Sequence, residues 1–310
     1  MKFKIKPAFA VAGMVLVMFL LLFATNFLDL KKISQNENIY LAVIIIQLVI
    51  FVIPAIIYTK YRGGHLTSQL RLNKPSGKSI LLAVFTFFLL IFATSLIKLG
   101  LYAIGYYSTS FSIYQNFLTL NSDNALTLTY IIITICLMPA FTEEFVFRSV
   151  VLGEYTNIRC GNFLSVVLSS LLFAMLHFNL YQLPVYFVGG FILGYLTVIT
   201  DSIFPALGVH LLNNIFSLLF ESQLIRLITQ TDSLIFVLFI LFILFMIFLF
   251  ICLQITEDIY YKKGINGAKT PTKQKAKKIK NELSVPLKAF LSPTYIGCIA
   301  VFILAVIFIK

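Results

Sequence analysis

Apolar residues run along this chain in stretches too long for strands, and polar residues collect in the gaps between them. Windows of about 20 apolar residues, enough to cross about 30 Å of hydrocarbon, fall near 9–28, 39–58, 79–103, 125–152, 162–178, 184–200, 203–220, 234–255 and 287–309. In lipid a spanning segment must satisfy its own backbone donors and acceptors, so runs of this length predict helices. The pattern therefore predicts an all-α polytopic membrane protein, a bundle of about eight or nine transmembrane helices. Pro286 and Pro293 interrupt the start of the last stretch, which is expected to begin late or to lie partly in the interface.

Three segments are expected. Residues 1–124 carry three helices and a basic inner loop, 125–220 form a core of four helices, and 221–310 carry the last helices with a lysine-rich loop over 256–284. The first stretch follows Lys2, Lys4 and Lys6 as a signal peptide would. It is too long for a signal-peptide core and no small-residue cleavage site ends it, so it is expected to be a retained helix.

Composition adds direction. The chain is 60% hydrophobic and 12% charged, far from the balance of soluble domains. A net charge of +12 would suggest nucleic acid in a soluble protein. Here most of the basic residues fall on alternate, inner sides of the stretches: Lys2, Lys4 and Lys6, then Lys60, Arg62, Arg71, Lys74 and Lys78, then Arg148 near the end of the fourth stretch and Arg159 after it, then eight lysines from Lys262 to Lys280. By the positive-inside rule these sides are cytoplasmic and the N-terminus is inside. The expected surroundings are membrane lipids and no nucleic acid. Cys136, Cys160, Cys252 and Cys298 are scattered singly and suggest neither a disulfide framework nor a cysteine metal site.

The candidate chemistry is what interrupts the apolar pattern. Glu143, Glu144 and Arg148 stand inside the fourth stretch, with apolar residues resuming at once as Phe145, Val146 and Phe147. Each charge at a helix centre costs on the order of 3 kcal/mol, so the three require partners or a water-filled cavity. Glu144 and Arg148 are four apart with the acid N-terminal, the spacing of an ion pair on one helix face, while Glu143 is turned by about 100° and faces elsewhere. Two of the three histidines, His177 and His210, also fall in apolar stretches, whereas His65 sits in a basic loop and is given no role. At about 1.5 Å per residue, Glu143, His177, His210 and Asn214 reach one middle layer of the membrane. Pro139 precedes the acidic pair and removes a backbone donor there. Gly189, Gly190 and Gly194 allow close helix packing.

Glu143-Glu144-x-x-x-Arg148, Phe173-x-x-x-His177 and His210-x-x-x-Asn214 resemble, in order and spacing, the three motifs of the type II CAAX prenyl protease and bacteriocin-processing family, also called the abortive-infection family. Gly194-Tyr195 and Phe204-Pro205-Ala206 add to the likeness, which runs from Pro139 to Leu219. The resemblance implies an intramembrane endopeptidase with a cavity open to the cytosol. It implies that Glu143 and His177 activate the attacking water, that His210 and Asn214 stabilise the oxyanion, and that Glu144 and Arg148 shape and charge-balance the site. Glu143, Glu144, His177 and His210 could also bind zinc with one position left for water. The residues alone leave metal and metal-free hydrolysis both open.

A chain rich in Phe, Ile, Lys and Asn and free of tryptophan looks like that of a low-GC Gram-positive bacterium. The expected substrate is then a membrane-associated peptide or protein, in peptide maturation, bacteriocin self-immunity or surface regulation, rather than a prenylated protein. The competing readings are a catalytically inactive scaffold or immunity protein that binds a partner, and a transporter using the same charges as a proton relay. A complete motif set weighs against the first, and the lack of an internal repeat against the second.

Overall fold

The computed structural model describes residues 7–27, 39–63, 70–106, 125–221, 233–267 and 284–308, and these are helical with short connections. In chain order the helices are α1 (Pro7–Thr25), α2 (39–62), α3 (Gly77–Ala103), α4 (125–157), α5 (Asn162–Met175), α6 (Leu183–Thr200), α7 (203–221), α8 (Leu234–Gly267), α9 (Ser284–Phe290) and α10 (Pro293–Phe308). Six of the described helices are long and apolar enough to cross a membrane, while α5, α7 and α10 are shorter apolar helices. His65 and most of the lysine-rich loop lie outside the described residues.

The expected spans are found with four corrections. Helix α4 continues past Leu152 to Asn157. Helix α8 runs to Gly267, so the first part of the expected 256–284 loop is helical. The last stretch is broken into α9 and α10, with the second beginning at Pro293, where proline suits a first helical turn. Helix α5 ends at Met175, so His177 stands in the turn beyond it rather than on the helix.

Two prolines shape the long helices. Proline cannot donate to the preceding turn, and ahead of both Pro54 and Pro139 the helix widens into a π-helical turn, Leu48–Val52 and Ile132–Leu137. A second wide turn, Phe145–Val151, follows the two glutamates, so the motif segment Met138–Glu144 is bracketed by wide turns on both sides. Such turns re-aim side chains and recur at functional sites.

Among the described residues the interior is built mainly as two large apolar clusters, with two smaller ones around Leu99 and Leu241 and around Ile131, Cys136 and Leu218. One large cluster joins α1, α2, α4, α5 and α10 through residues such as Phe19, Phe51, Phe147, Leu172, Phe173 and Tyr295. The other joins α3, α6, α7 and α8 through Leu82, Leu90, Leu193, Val209 and Cys252. Helices α5 and α6 bring the two halves together closely: a Cβ on Gly190 would lie 3.0 Å from Phe173 Cδ1, and one on Gly194 would lie 3.0 Å from Val166 Cγ1. Glycine at these two positions is what lets the backbones approach.

One end of the bundle is tied by polar contacts. Arg62 at the end of α2 gives Nε and Nη2 to Glu154 Oε1 on α4, at 3.1 and 2.7 Å. Lys78 at the start of α3 pairs with Asp258 on α8. Between them residues 70–73 form a strap: Ser149 Oγ donates to Leu70 O at 2.8 Å, Ser202 Oγ donates to Asn73 O at 2.7 Å, and Ile203 N–H donates to Arg71 O at 3.0 Å. The strap thus links α4, which carries the glutamates, to the start of α7, which carries His210. Burial pulls the Arg71 guanidinium below the usual arginine range, and the neighbouring Asp201 carboxylate opposes that shift.

Candidate active site

Glu143 and Glu144 are both buried, with 8% and 0% of their surface exposed, and Arg148 is buried at 1%. The spacing argument for an ion pair holds: Arg148 Nη1 lies 3.1 Å from Glu144 Oε1. The contact is off the direction of a hydrogen bond, because Arg148 Nη1 and Nη2 and Glu144 Oε2 have no hydrogen-bond partner among the described residues. Buried polar atoms with unspent capacity are rare in a finished core and mark a place where function competes with packing.

His210 is the hub. From α7 its Nδ1 lies 2.7 Å from Glu144 Oε1, and its Nε2 lies 3.8 Å from Glu143 Oε2. A carboxylate can only accept, so Nδ1 carries the proton and donates to Glu144. One imidazole therefore sits between two adjacent carboxylates, with one nitrogen committed to Glu144 and the other turned to Glu143. Asn214, one turn further along α7, donates Nδ2–H to Cys136 O at 3.3 Å, in the wide turn ahead of Pro139. An amide nitrogen carries two hydrogens, so one remains for another acceptor.

His177 joins this group through aromatic rings. Its Nδ1 is 3.1 Å from Phe173 O, its ring stacks on Tyr186 with centroids 3.7 Å apart and planes at 13°, and Phe173 meets it edge-on at 5.1 Å. Phe173 also meets His210 edge-on at 6.0 Å, and its face lies 4.3 Å from Arg148 Cζ, a cation–π contact. All six residues singled out from the sequence thus lie in one neighbourhood. Glu143, Glu144, Arg148 and His210 meet directly; His177 joins through Phe173, and Asn214 through α7.

Sequence reasoning missed Tyr186, Glu154 and the strap. Glu154 carried a signal, being an acidic residue two positions beyond the end of the apolar stretch at Leu152. Tyr186 carried none, since its contact with His177 depends on how the α5–α6 connection turns.

The four residues that could bind zinc do not fit a zinc ligand set as they are arranged. Among the described residues no three His, Cys, Asp or Glu side chains are gathered to hold a metal ion. Glu144 Oε1 is already shared by Arg148 and the His210 N–H, and a guanidinium beside a carboxylate opposes the approach of a second cation.

Comparison with known proteins places the same part of the chain. Residues 124–216 match the family model described as type II CAAX prenyl endopeptidase Rce1-like. Over 84 residues the chain is 36% identical to the membrane-embedded CAAX protease MroQ of Staphylococcus aureus (strain USA300), covering 26% of this chain and 34% of that protein. The chain thus spans about a third of the length of the curated relative it matches. No solved structure matches. The resemblance read from the three motifs therefore holds as a likeness, and the buried glutamates, the two histidines and Asn214 all lie within the residues that match this family model.

Proposed function

We propose that the protein is an intramembrane endopeptidase that hydrolyses a peptide bond of a membrane-associated peptide or protein. The observation that carries this reading is a pair of adjacent buried carboxylates held against one imidazole inside a membrane span. Such a cluster is costly in lipid and is kept for chemistry. Glu144 serves Arg148 and His210, which leaves Glu143 as the carboxylate available to a water.

In the proposed step Glu143 takes a proton from a water whose oxygen attacks the scissile carbonyl carbon, and passes it to His177 Nε2. The carbonyl becomes a tetrahedral oxyanion, which accepts hydrogen bonds from His210 Nε2–H and the second Asn214 N–H. The C–N bond then breaks, and the proton held on His177 Nε2 goes to the leaving amine nitrogen, giving a carboxylic acid and an amine. For His210 to donate from Nε2 while Nδ1–H is held by Glu144 it must be an imidazolium, and this also balances the site: two carboxylates against Arg148 and His210. No metal enters this scheme, so 1,10-phenanthroline is expected to leave the rate within about twofold of the untreated enzyme.

The end of the bundle tied by Arg62–Glu154, the strap and Lys78–Asp258 is proposed to be the cytoplasmic face, with the N-terminus inside and the chain in a bacterial cytoplasmic membrane. Its support is the run of lysines that continues beyond α8. A cysteine introduced at position 272 is expected to be labelled by a membrane-impermeant maleimide only after the cells are opened; labelling of intact cells would invert the topology.

The activity is tested with purified protein in detergent micelles and a proteome-derived peptide library, with new N-termini counted by mass spectrometry. Wild type is expected to produce a defined set of cleavages that Glu143→Ala does not. A wild-type pattern indistinguishable from Glu143→Ala would replace the protease by a non-catalytic membrane protein.

A further inference from the structure

His177 is poorly placed to hold itself in position. It lies beyond the end of α5, its N–H making a long contact of 3.4 Å to Ala174 O, and the next residue, Phe178, has a left-handed backbone with φ 48°. Beyond His177 the chain leaves the helix, so only the last turn of α5 bounds its side chain from the helix itself. Its ring is nevertheless fixed from three directions. Phe173 O accepts from Nδ1, the Phe173 ring packs against one side, and Tyr186 covers a face at 3.7 Å.

The hydrogen bond to a carbonyl settles the tautomer. A carbonyl oxygen only accepts, so Nδ1 bears the proton and Nε2 keeps its lone pair, the form a base requires. Tyr186 is itself well anchored. It stands in the first turn of α6, where its N–H donates to Gln182 O at 3.0 Å, and Gln182 N–H in turn donates to Asn179 Oδ1 at 3.0 Å. Pro184 adds a fixed φ to the same turn. The connection that leads from His177 to Tyr186 is thus stapled at both ends.

We propose that Tyr186 is a positioning residue for His177: its ring clamps the imidazole in the plane that aims Nε2 at the reacting water and stabilises the imidazolium formed when that proton is taken. The proposal rests on the protease reading above. An aromatic face attracts a cation far more than it attracts a neutral ring, so the stack strengthens as the proton moves onto Nε2 and weakens as it passes to the leaving amine. An interaction stronger in the transition state than in the ground state raises turnover, not substrate affinity.

The test uses the full-length protein in detergent and a quenched reporter peptide made from the most frequent cleavage sequence of the library. Tyr186→Leu is expected to lower kcat about thirtyfold, the size of one desolvated cation–π contact, with KM within about twofold. Tyr186→Phe restores most of that loss because it keeps the ring. In the His177→Ala background Tyr186→Leu adds no further loss, since the two residues act as one unit. Thermal melts of all variants, with Tyr186→Met as a second ring-less form, separate positioning from packing.

Wild-type kcat in Tyr186→Leu, or a loss in Tyr186→Phe as large as in Tyr186→Leu, would overturn the proposal. So would a loss of melting temperature in both ring-less variants that matches the loss of rate. Failure of the protease reading looks different: His177→Ala would then cleave like wild type, or the wild-type protein would cleave nothing.

Discussion

Helices α4 and α8 are both apolar enough to cross a membrane, and the structure uses them in opposite ways. Half of α4's apolar window is buried inside the protein, against 6% of α8's. Helix α8 presents Phe236, Phe239, Phe242, Ile247 and Phe250 outward and packs mainly along α3. Helix α4 carries Glu143, Glu144 and Arg148 and turns them to α7 and Phe173. The difference teaches where a membrane protein keeps its chemistry. The more uniformly apolar helix can leave most of its surface to lipid, while the helix interrupted by charge must be enclosed by others that supply its partners.

The comparison breaks hardest at Glu143. Glu143→Gln keeps the shape and most hydrogen-bonding capacity but cannot take a proton from water. Turnover of the reporter peptide is expected to fall by about a hundredfold to ten-thousandfold, with the melting temperature kept. Retained turnover would remove Glu143 from the step proposed for it.

A smaller effect is expected at Gly190. A Cβ there would lie 3.0 Å from Phe173 Cδ1 and 3.3 Å from Ser170 Cα, so Phe173, which touches both histidines, has to shift. Gly190→Ala is expected to cost about 1–3 kcal/mol of stability, the usual range for overpacking, and to lower turnover as well. Gly189→Ala is its control, since that Cβ would meet only Leu90 Cδ1 at 3.7 Å, an ordinary contact. Equal melting temperatures for the two variants would mean that α5 and α6 are not held as close as described.

Weaker still is the strap. Ser149→Ala removes a hydrogen bond to Leu70 O in a buried setting and is expected to cost about 1 kcal/mol, read in a thermal melt. At the far end of the scale, Phe242→Leu and Ile247→Leu on the lipid face of α8 are expected to stay within about 0.5 kcal/mol of wild type. A loss of several degrees from either would show that α8 has a protein neighbour on that face.

Much of this was legible in the sequence because lipid imposes simple rules. Run length gave the spans, and the i, i+4 spacing gave the Glu144–Arg148 pair. The depth estimate placed Glu143 and His210 in one layer, where the structure puts them 3.8 Å apart. What could not be read depends on how helices rotate and end. Nothing in the spacing shows His210 reaching both carboxylates, because that depends on the wide turns at 132–137 and 145–151 that re-aim α4. The end of α5 at Met175, and with it the stack of His177 on Tyr186, turns on a left-handed residue at Phe178 for which the sequence offers neither glycine nor asparagine. The continuation of α8 to Gly267 was hidden by Lys262, Lys263 and Gly264, a composition that suits a loop as well as a helix end.

The proposal at the centre is that two adjacent glutamates divide the work, Glu144 holding Arg148 and His210 and Glu143 taking the proton from water. It is tested most directly by thermal stability in detergent of Glu143→Gln, Glu144→Gln and the double variant Glu144→Gln with Arg148→Met. Glu144→Gln leaves a buried guanidinium without its carboxylate and is expected to cost about 3–5 kcal/mol. The double variant removes the orphaned charge and should recover most of that loss, and Glu143→Gln should melt close to wild type. If Glu143→Gln were the unstable variant, or if all three melted with wild type, the division between the two glutamates would be wrong.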